Sequence, residues 1–339
     1  MRIALDAMGG DHGPDEQIAG AILALEEEDL ELTLVGDETR IRSCLAKHSP
    51  SACVVKRLQV VHTSEVVQME ESPVEAIRKK KNSSVMLAFD LVKRGEAEGA
   101  VSAGNSGATM AAAIRKLGRL KNVSRPGIAS AFPTLKKPVV MMDVGANVDC
   151  RPQHLYQFAI MASAFSTVYG NKYPTVGILS IGEESGKGNQ LVKDAYALLS
   201  ESSLNFVGNV EGRDIFQGGV DVVVCDGFVG NICLKISEGL VDAAGKMLRE
   251  GFMESFLAKI GYLLARPVFS NLKKRMNYEE YGGAPLLGIN GTGIICHGKS
   301  SAVAIKNAII GAQQIIETKV NDKILSGISE IKHTHKENM

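Results

Sequence analysis

Short apolar runs alternate with longer amphipathic stretches along almost the whole chain. The runs that predict β-strands are Arg2–Leu5, Glu31–Val35, Val54–Val61, Gly99–Ser102, Pro138–Met142, Thr175–Ser180, Asn205–Val210, Asp221–Cys225 and Gly293–Cys296. The stretches that predict helices are Asp15–Glu28, Val74–Lys81, Val85–Arg94, Asn105–Leu117, Gln153–Val168, Asn189–Ser200, Ile232–Glu250 and Ser300–Thr318. This alternation is typical of βαβ units, so the sequence predicts an α/β protein with a largely parallel sheet.

The pattern shows no fixed-period repeat and no low-complexity linker, which indicates one catalytic α/β unit over residues 1–330. An amphipathic helical segment is inserted near residues 250–275. Its apolar positions recur at helical spacing before Pro267 and are Phe252, Phe256, Leu257, Ile260, Leu263 and Leu264. Such a stripe fits the core or a dimer interface, and alternatively a membrane surface or an acyl chain. The polar tail over 331–339 is expected to fray.

Composition narrows the class of protein. Lys and Arg together number 38, as do Asp and Glu, so no overall field attracts nucleic acid, and affinity for phosphate or an acidic partner must come from local sites. The six cysteines are scattered without metal-site spacing and are expected to be reduced thiols of a cytoplasmic protein. No signal peptide is expected. The apolar runs are shorter than the roughly 20 residues that span a bilayer, so membrane contact would be peripheral.

Six polar, glycine-rich segments follow predicted strands. They are 6–14, 102–107, 143–147, 182–188, 226–231 and 297–300. Open α/β sheets bind ligands beyond the carboxyl ends of their strands, so we expect these segments to form one composite site. Any one of them alone is more often a simple turn, and Asp11 or His12 could merely cap the helix that follows.

The segment 102–107 is the best candidate for an anion site. Asn105 and Ser106 can donate hydrogen bonds to phosphate oxygens, and the small residues Gly104 and Gly107 allow close approach to the backbone. Lys187, between two glycines, can neutralise the charge of phosphate, although a loop lysine often faces solvent.

Other motifs are weaker. Residues 293–300 match the phosphate-binding pattern G-x-x-x-x-G-K-[ST], but Ile294, Ile295 and Cys296 fit a strand better than a loop. Cys296 beside His297 could suggest a thiol nucleophile, but neighbours on a strand point to opposite faces. The chain has no G-x-G-x-x-G after its first strand and no G-x-S-x-G elbow, which disfavours a nicotinamide dehydrogenase and a serine hydrolase. No metal or other cofactor is expected.

Several longer motifs resemble one family closely, the bacterial acyl-acyl-carrier-protein:phosphate acyltransferases (PlsX). These are residues 6–11, 102–108, 143–147, 226–231 and 282–291, in the same order, and the resemblance covers residues 1 to about 312. It implies a three-layer α/β/α fold like that of isocitrate and isopropylmalate dehydrogenases and akin to phosphate acetyltransferases. It also implies a homodimer that associates peripherally with the membrane. The expected reaction makes acyl phosphate from fatty acyl-[acyl carrier protein] and inorganic phosphate in phospholipid biosynthesis, where a membrane glycerol-phosphate acyltransferase uses the product.

In that reaction phosphate is itself the nucleophile, so no acyl-enzyme is required. We expect Gly104, Asn105, Ser106, Gly107 and Lys187 to bind phosphate. Further expected roles are Asn147 or Asn231 facing the carbonyl oxygen, His297 protonating the leaving thiolate, and Asp6, Asp143 and Asp226 orienting donors. Two alternatives stay open: a decarboxylating dehydrogenase with the same fold, and a non-catalytic scaffold for lipid enzymes.

Overall fold

The computed structural model describes residues 1–276 and 281–337. The strands are β1 (Arg2–Asp6), β2 (Glu31–Gly36), β3 (Leu58–His62), β4 (Gly99–Ser102), β5 (Gly127–Phe132), β6 (Val139–Met142), β7 (Thr175–Leu179), β8 (Asn205–Val210), β9 (Val222–Val224), β10 (Ala284–Leu287) and β11 (Thr292–Ile295). The helices are α1 (Asp15–Glu27), α2 (Glu38–His48), α3 (Ala52–Lys56), α4 (Pro73–Lys79), α5 (Ser84–Lys93), α6 (Ser106–Leu117), α7 (Pro152–Ser166), α8 (Gln190–Ser200), α9 (Gly227–Met253), α10 (Phe256–Met276), α11 (Ala302–Glu317) and α12 (Val320–Glu337).

The strands form one sheet in the order β3-β2-β1-β4-β11-β10-β5-β6-β9-β7-β8. Most neighbours are parallel, but β10 runs antiparallel to both β11 and β5, and β5 runs antiparallel to β6. Three reversals in succession leave the strands from β6 to β8 pointing opposite to those from β3 to β11. The largely parallel sheet is therefore confirmed, but its two halves have opposite directions.

Helices cover both faces of the sheet, which confirms the three-layer α/β/α architecture. One apolar cluster joins the sheet to α1, α7, α11 and α12 and continues under both halves. A second lies on the opposite face under α4, α5 and α6, and a third under the start of α9. Because strands buried on both faces need apolar residues throughout, β1, β6 and β9 read as nearly continuous hydrophobic runs.

The predicted elements are confirmed except in a few places. The run Val54–Val61 is wrong as one strand, because Ser51 caps the short helix α3 through the Val54 N–H, and the strand begins only at Leu58. The strands β5 and β10 were not predicted, since β5 is rich in small residues and β10 has only four residues, one of them a proline. The helices α2, α3 and α12 were not predicted either.

The inserted helical segment consists of α9 and α10 rather than one helix ending before Pro267. The apolar stripe breaks at Glu254 and Ser255, where the Ser255 hydroxyl accepts the Ala258 N–H, and α10 then continues through Pro267. None of the helices in the described ranges is long and apolar enough to cross a membrane. The single unit over 1–330 and the frayed tail over 331–339 stay predictions; the backbone is helical to Glu337, and 338–339 lie outside the described residues.

Candidate active site

The polar segments do not share one edge of the sheet, so the expectation of one composite site within the chain is wrong. Segments after β1, β4 and β11 lie at one edge, and we call them the first loop cluster (residues 6–14, 102–107 and 296–301). Segments after β6 and β9 lie at the opposite edge, and we call them the second loop cluster (residues 143–151 and 225–231). The reversals at β10, β5 and β6 cause this separation.

The first loop cluster is organised by Asp6 and Ser102. The Ser102 hydroxyl donates to Asp6 Oδ2 at 2.7 Å and accepts the Gly104 N–H at 3.1 Å. A Cβ on Gly9 would lie 2.6 Å from the Gly104 nitrogen, so glycine is needed where the two loops touch. Burial raises the pKa of the Asp6 carboxyl, and hydrogen bonds from Ser84 and Ser102 act in the opposite direction. The N–H of Gly104, a predicted phosphate ligand, therefore already donates to a protein oxygen, that of the Ser102 hydroxyl.

The N-terminus of α6 carries the predicted anion site, with a changed division of roles. Asn105 caps the helix by accepting the Ala108 N–H at 3.0 Å, and its amide donates to the carbonyls of Met69 and Glu71 at 2.8 and 3.1 Å. Its side chain therefore positions the loop. Ser106 is exposed, and no acceptor within residues 1–276 and 281–337 takes its hydroxyl or the N–H groups of Ser106 and Gly107. These three donors lie at the positive end of the helix dipole.

The loop after β11 adds imidazole and a cation to the same edge. The Asp11 N–H donates to the Gly298 carbonyl at 2.7 Å, and a Cβ on Gly298 would lie 2.5 Å from the Met69 methyl group. His297 is exposed, and its Nδ1 accepts the Lys299 N–H at 3.2 Å, which assigns the proton of the neutral ring to Nε2. Lys299 is also exposed. Lys299 was not among the predicted phosphate ligands, although it follows a strand in the same loop as His297.

The start of α1 and the end of β11 decide three alternatives left by the sequence: a helix cap, a phosphate-binding loop and a thiol nucleophile. The N-cap of α1 is Pro14 without a side-chain cap bond, so neither Asp11 nor His12 caps that helix. Ile294 and Ile295 lie in β11, as the strand interpretation of the 293–300 pattern expected. Burial raises the pKa of Cys296 to about 12, so this thiol is not a nucleophile near neutral pH.

The second loop cluster is built around the buried carboxylate of Asp143. Its Oδ1 accepts the N–H groups of Ile128, Gly145 and Ala146 at 3.0 to 3.2 Å. Its Oδ2 accepts the backbone N–H of Asn147 at 2.7 Å and the side-chain amide at 2.9 Å. Burial raises the pKa of Asp143, while the bonds from Ala146 and Asn147 lower it in part. The Asn147 amide also donates to the Pro126 carbonyl, so both of its protons are engaged inside the protein.

Asp226 and the first turn of α9 complete the second loop cluster. Asp226 caps the helix by accepting the N–H groups of Phe228 and Val229 at 3.0 and 2.9 Å. A Cβ on Gly230 would lie 1.9 Å from the Asp143 carbonyl oxygen, so the helix packs directly on this loop. Asn231 is exposed one residue further along. Among the described residues, no three His, Cys, Asp or Glu side chains are placed to hold a metal ion.

Lys187 lies apart from the predicted phosphate ligands. It is exposed on the loop after β7, and six strand spacings of about 4.8 Å separate β7 from β4, or roughly 29 Å along the sheet. The two strands also point in opposite directions. Within one chain Lys187 therefore does not reach the N-terminus of α6, and neither do Asn147 and Asn231 across the intervening β11, β10 and β5.

Comparisons with known proteins agree with the resemblance found in the sequence. Residues 1–323 match the family model described as "Fatty acid synthesis protein". The phosphate acyltransferase of Geotalea uraniireducens is 54% identical over 331 residues, which cover 97% of this chain and 95% of the relative. That of Pelobacter propionicus is 53% identical over 331 residues, with the same coverage.

Solved structures share the fold at low identity. A phosphotransacetylase from Streptococcus pyogenes superposes with a TM-score of 0.62 at 20% identity, covering 94% of each chain. A 4-hydroxythreonine-4-phosphate dehydrogenase from Klebsiella pneumoniae gives a TM-score of 0.53 at 14% identity, covering 93% of this chain and 99% of the other. The expected likeness in fold to phosphate acetyltransferases is confirmed, and a dehydrogenase shares the fold as well.

Proposed function

The chain belongs to the fatty acid synthesis protein family, whose curated relatives are phosphate acyltransferases, and we propose that it converts fatty acyl-[acyl carrier protein] and inorganic phosphate to acyl phosphate and free acyl carrier protein. The observation that carries this proposal is the N-terminus of α6 in the first loop cluster. It offers the Ser106 hydroxyl and the N–H groups of Ser106 and Gly107, none of which is bound by an acceptor in the described part of the chain.

Phosphate would bind at this helix end. Two N–H groups and a hydroxyl can contact three of its oxygens, and the helix dipole favours the negative charge. Lys299 supplies the cation that we first expected from Lys187, because its loop and Asn105 both contact Met69. The nearby Asp6 carboxylate is buried and hydrogen-bonded to Ser102, so it faces the protein rather than the anion.

In the reaction, a phosphate oxygen would attack the thioester carbonyl carbon, a C–O bond would form, and the C–S bond would break. The proton of hydrogen phosphate balances the thiolate, which leaves as the free thiol of the carrier protein. His297 is exposed at the same edge and its Nε2 can donate a hydrogen bond to the developing oxyanion, while the proton that reaches the sulfur comes from hydrogen phosphate. Because a thiol has a pKa near 8.5, the sulfur leaves without strict need of an acid.

In this proposal the second loop cluster stabilises the fold and does not contact the carbonyl oxygen of the thioester. Asp143 and Asp226 accept backbone N–H groups and hold the first turn of α9 in place. Asn147 and Asn231 would likewise have a structural role, at the base of the hairpin formed by α9 and α10. No cofactor takes part in the proposed chemistry.

The α9–α10 hairpin would place the enzyme at a membrane or join two copies into a homodimer. Phe256, Leu257 and Leu264 are about four-fifths exposed, and Ile260 and Leu263 are exposed beside them. Phe252 instead packs against Tyr262 and Phe269 inside the hairpin, with ring centroids 5.2 and 5.0 Å apart. A cytoplasmic, peripherally bound enzyme could pass acyl phosphate to a membrane glycerol-phosphate acyltransferase. Flotation with anionic vesicles and the mass in solution, for wild type and Leu257→Asp/Leu264→Asp, distinguish the two contacts.

Release of the carrier-protein thiol from palmitoyl-[acyl carrier protein], with and without inorganic phosphate, tests the reaction itself. Two loop lysines beside glycines form a matched pair: Lys299→Ala and Lys187→Ala. A hydrogen bond to a charged group contributes about 1.5–3 kcal/mol, so Lys299→Ala should raise the KM for phosphate at least about tenfold. Lys187→Ala should leave it unchanged.

The outcomes separate the site from the reaction. If the wild type releases no thiol at any phosphate concentration, the acyltransferase proposal fails, and the dehydrogenase and scaffold alternatives return. If Lys187→Ala raises the KM and Lys299→Ala does not, phosphate binds at the opposite edge of the sheet.

A further inference from the structure

A cavity of about 180 Å³ lies between the end of α7, the start of β10 and the middle of α11. Its wall combines apolar side chains, among them Phe165, Pro285, Ile294, Ile310 and Ile315, with the polar side chains of two tyrosines, an asparagine and a glutamine. None of the lining side chains that belong to residues 1–276 and 281–337 is acidic or basic. Burial raises the pKa of the Tyr169 hydroxyl, which keeps that group neutral as well. A wall that carries six apolar side chains, and no charged one among the described residues, favours a hydrocarbon segment over a charged ligand.

Glycines create much of this space. Gly282 and Gly283 have φ angles of +75° and +78°, and a Cβ on Gly282 would lie 2.3 Å from the Asn307 carbonyl oxygen. The backbone at the start of β10 can therefore approach α11 only without side chains. Gly311 is different, because a Cβ there would meet the Gly282 oxygen and the Ile294 Cδ1 at an ordinary 3.6 Å. A methyl group fits at Gly311, whereas a longer side chain would extend into the cavity.

The cavity borders the first loop cluster. A Cβ on Gly283 would lie 3.2 Å from the Cys296 sulfur, and the Cys296 N–H donates to the Ser102 carbonyl at 2.9 Å. His297 follows Cys296 directly. Two strand spacings, roughly 10 Å in all, separate β10 from β4.

We propose that this cavity receives the distal part of the substrate's fatty acyl chain while the thioester lies at the N-terminus of α6. The inference rests on the proposed function and adds the acyl subsite to it. A sixteen-carbon chain extends to roughly 19 Å, given carbon–carbon bonds of about 1.5 Å, so it spans the 10 Å and continues into the cavity. A cavity of about 150 Å³ accommodates benzene, so 180 Å³ takes about six carbons.

The matched variants Gly311→Leu and Gly311→Ala test this subsite. The measurement is kcat/KM for phosphate-dependent thiol release from acyl-[acyl carrier protein] with chains of six to sixteen carbons. Gly311→Leu should lower kcat/KM for the sixteen-carbon chain at least about tenfold and leave the six-carbon chain within about twofold of wild type. Gly311→Ala should match wild type at every length. A decrease that is the same for all chain lengths would overturn the proposal.

A binding experiment keeps this result separate from the reaction. Calorimetry with S-hexadecyl pantetheine, a thioether that cannot be cleaved, should show binding to wild type and Gly311→Ala that weakens at least about tenfold in Gly311→Leu. Ile310→Phe, at a partly exposed position of the same wall, should act in the same direction if Gly311→Leu does not fold. Equal binding by wild type and a folded cavity-filling variant removes the acyl subsite, even if the acyltransferase reaction stands. If Gly311→Leu weakens binding of S-hexadecyl pantetheine but wild type shows no turnover, the acyltransferase reaction is refuted and the acyl subsite stands.

Discussion

The carboxylate of Asp143 is the contact whose loss should cost most at the second loop cluster. It accepts five N–H hydrogen bonds, three at Oδ1 and two at Oδ2. In Asp143→Asn, an NH₂ group replaces one oxygen, removes at least two of these bonds and turns a donor toward other donors. Hydrogen bonds to a charged group contribute about 1.5–3 kcal/mol each. We therefore expect the free energy of unfolding to fall by about 3–6 kcal/mol.

Asp226→Asn is the matched control on the neighbouring strand. Among the described residues, Asp226 accepts the N–H groups of Phe228 and Val229 alone, both at Oδ1, as the N-cap of α9. Asparagine caps helices about as well as aspartate, because its amide oxygen accepts the same bonds. This variant should keep the free energy of unfolding within about 0.5 kcal/mol of wild type.

Urea unfolding followed by circular dichroism at one protein concentration measures both differences, since a dimer would make stability depend on concentration. The midpoint for Asp143→Asn should lie well below that of Asp226→Asn, with similar slopes. If the two variants agree within about 1 kcal/mol, the five bonds do not carry the stability that we assign to them.

Three further predictions concern packing, charge and capping. Gly230→Ala should lower the free energy of unfolding by about 1–3 kcal/mol or more, because its Cβ would overlap the Asp143 carbonyl. Gly239→Ala, on the same helix but with open space around it, should raise the free energy of unfolding by about 0.5–1 kcal/mol. Equal melting temperatures for the two variants would contradict this. Burial raises the pKa of Asp6 in the folded state above 3.8, its value in the unfolded chain. The free energy of unfolding of wild type, measured relative to Asp6→Asn, should therefore decrease as the pH rises from about 4 through the folded-state pKa. An increase over the same pH range would refute this prediction. Asn105→Ala should cost at least about 0.5–2 kcal/mol, because it loses the cap of α6, and a thermal unfolding midpoint equal to that of wild type would count against the capping role.

Local patterns in the sequence were sufficient for most of the fold. The period of apolar residues decides whether a segment can bury one face as a helix or both faces as a buried strand, and this depends on near neighbours alone. The strands β1, β4, β6 and β7 and the polar loops after them were therefore predictable. The long motifs from residue 6 to 291 also sufficed to identify the family.

Only the tertiary structure decided which loops meet. The strands β5 and β10 reverse the direction of half the sheet, and a two-residue burial period is the same in parallel and antiparallel pairs. Hydrogen-bond partners distant in sequence also changed the roles of predicted ligands. Asn105 donates to carbonyls 34 and 36 residues away, which turns an expected phosphate ligand into a positioning residue. The loop of Lys299 lies at the same edge of the sheet as Ser106, and the loop of Lys187 does not, because strand direction, and not distance along the chain, determines the edge at which a loop emerges.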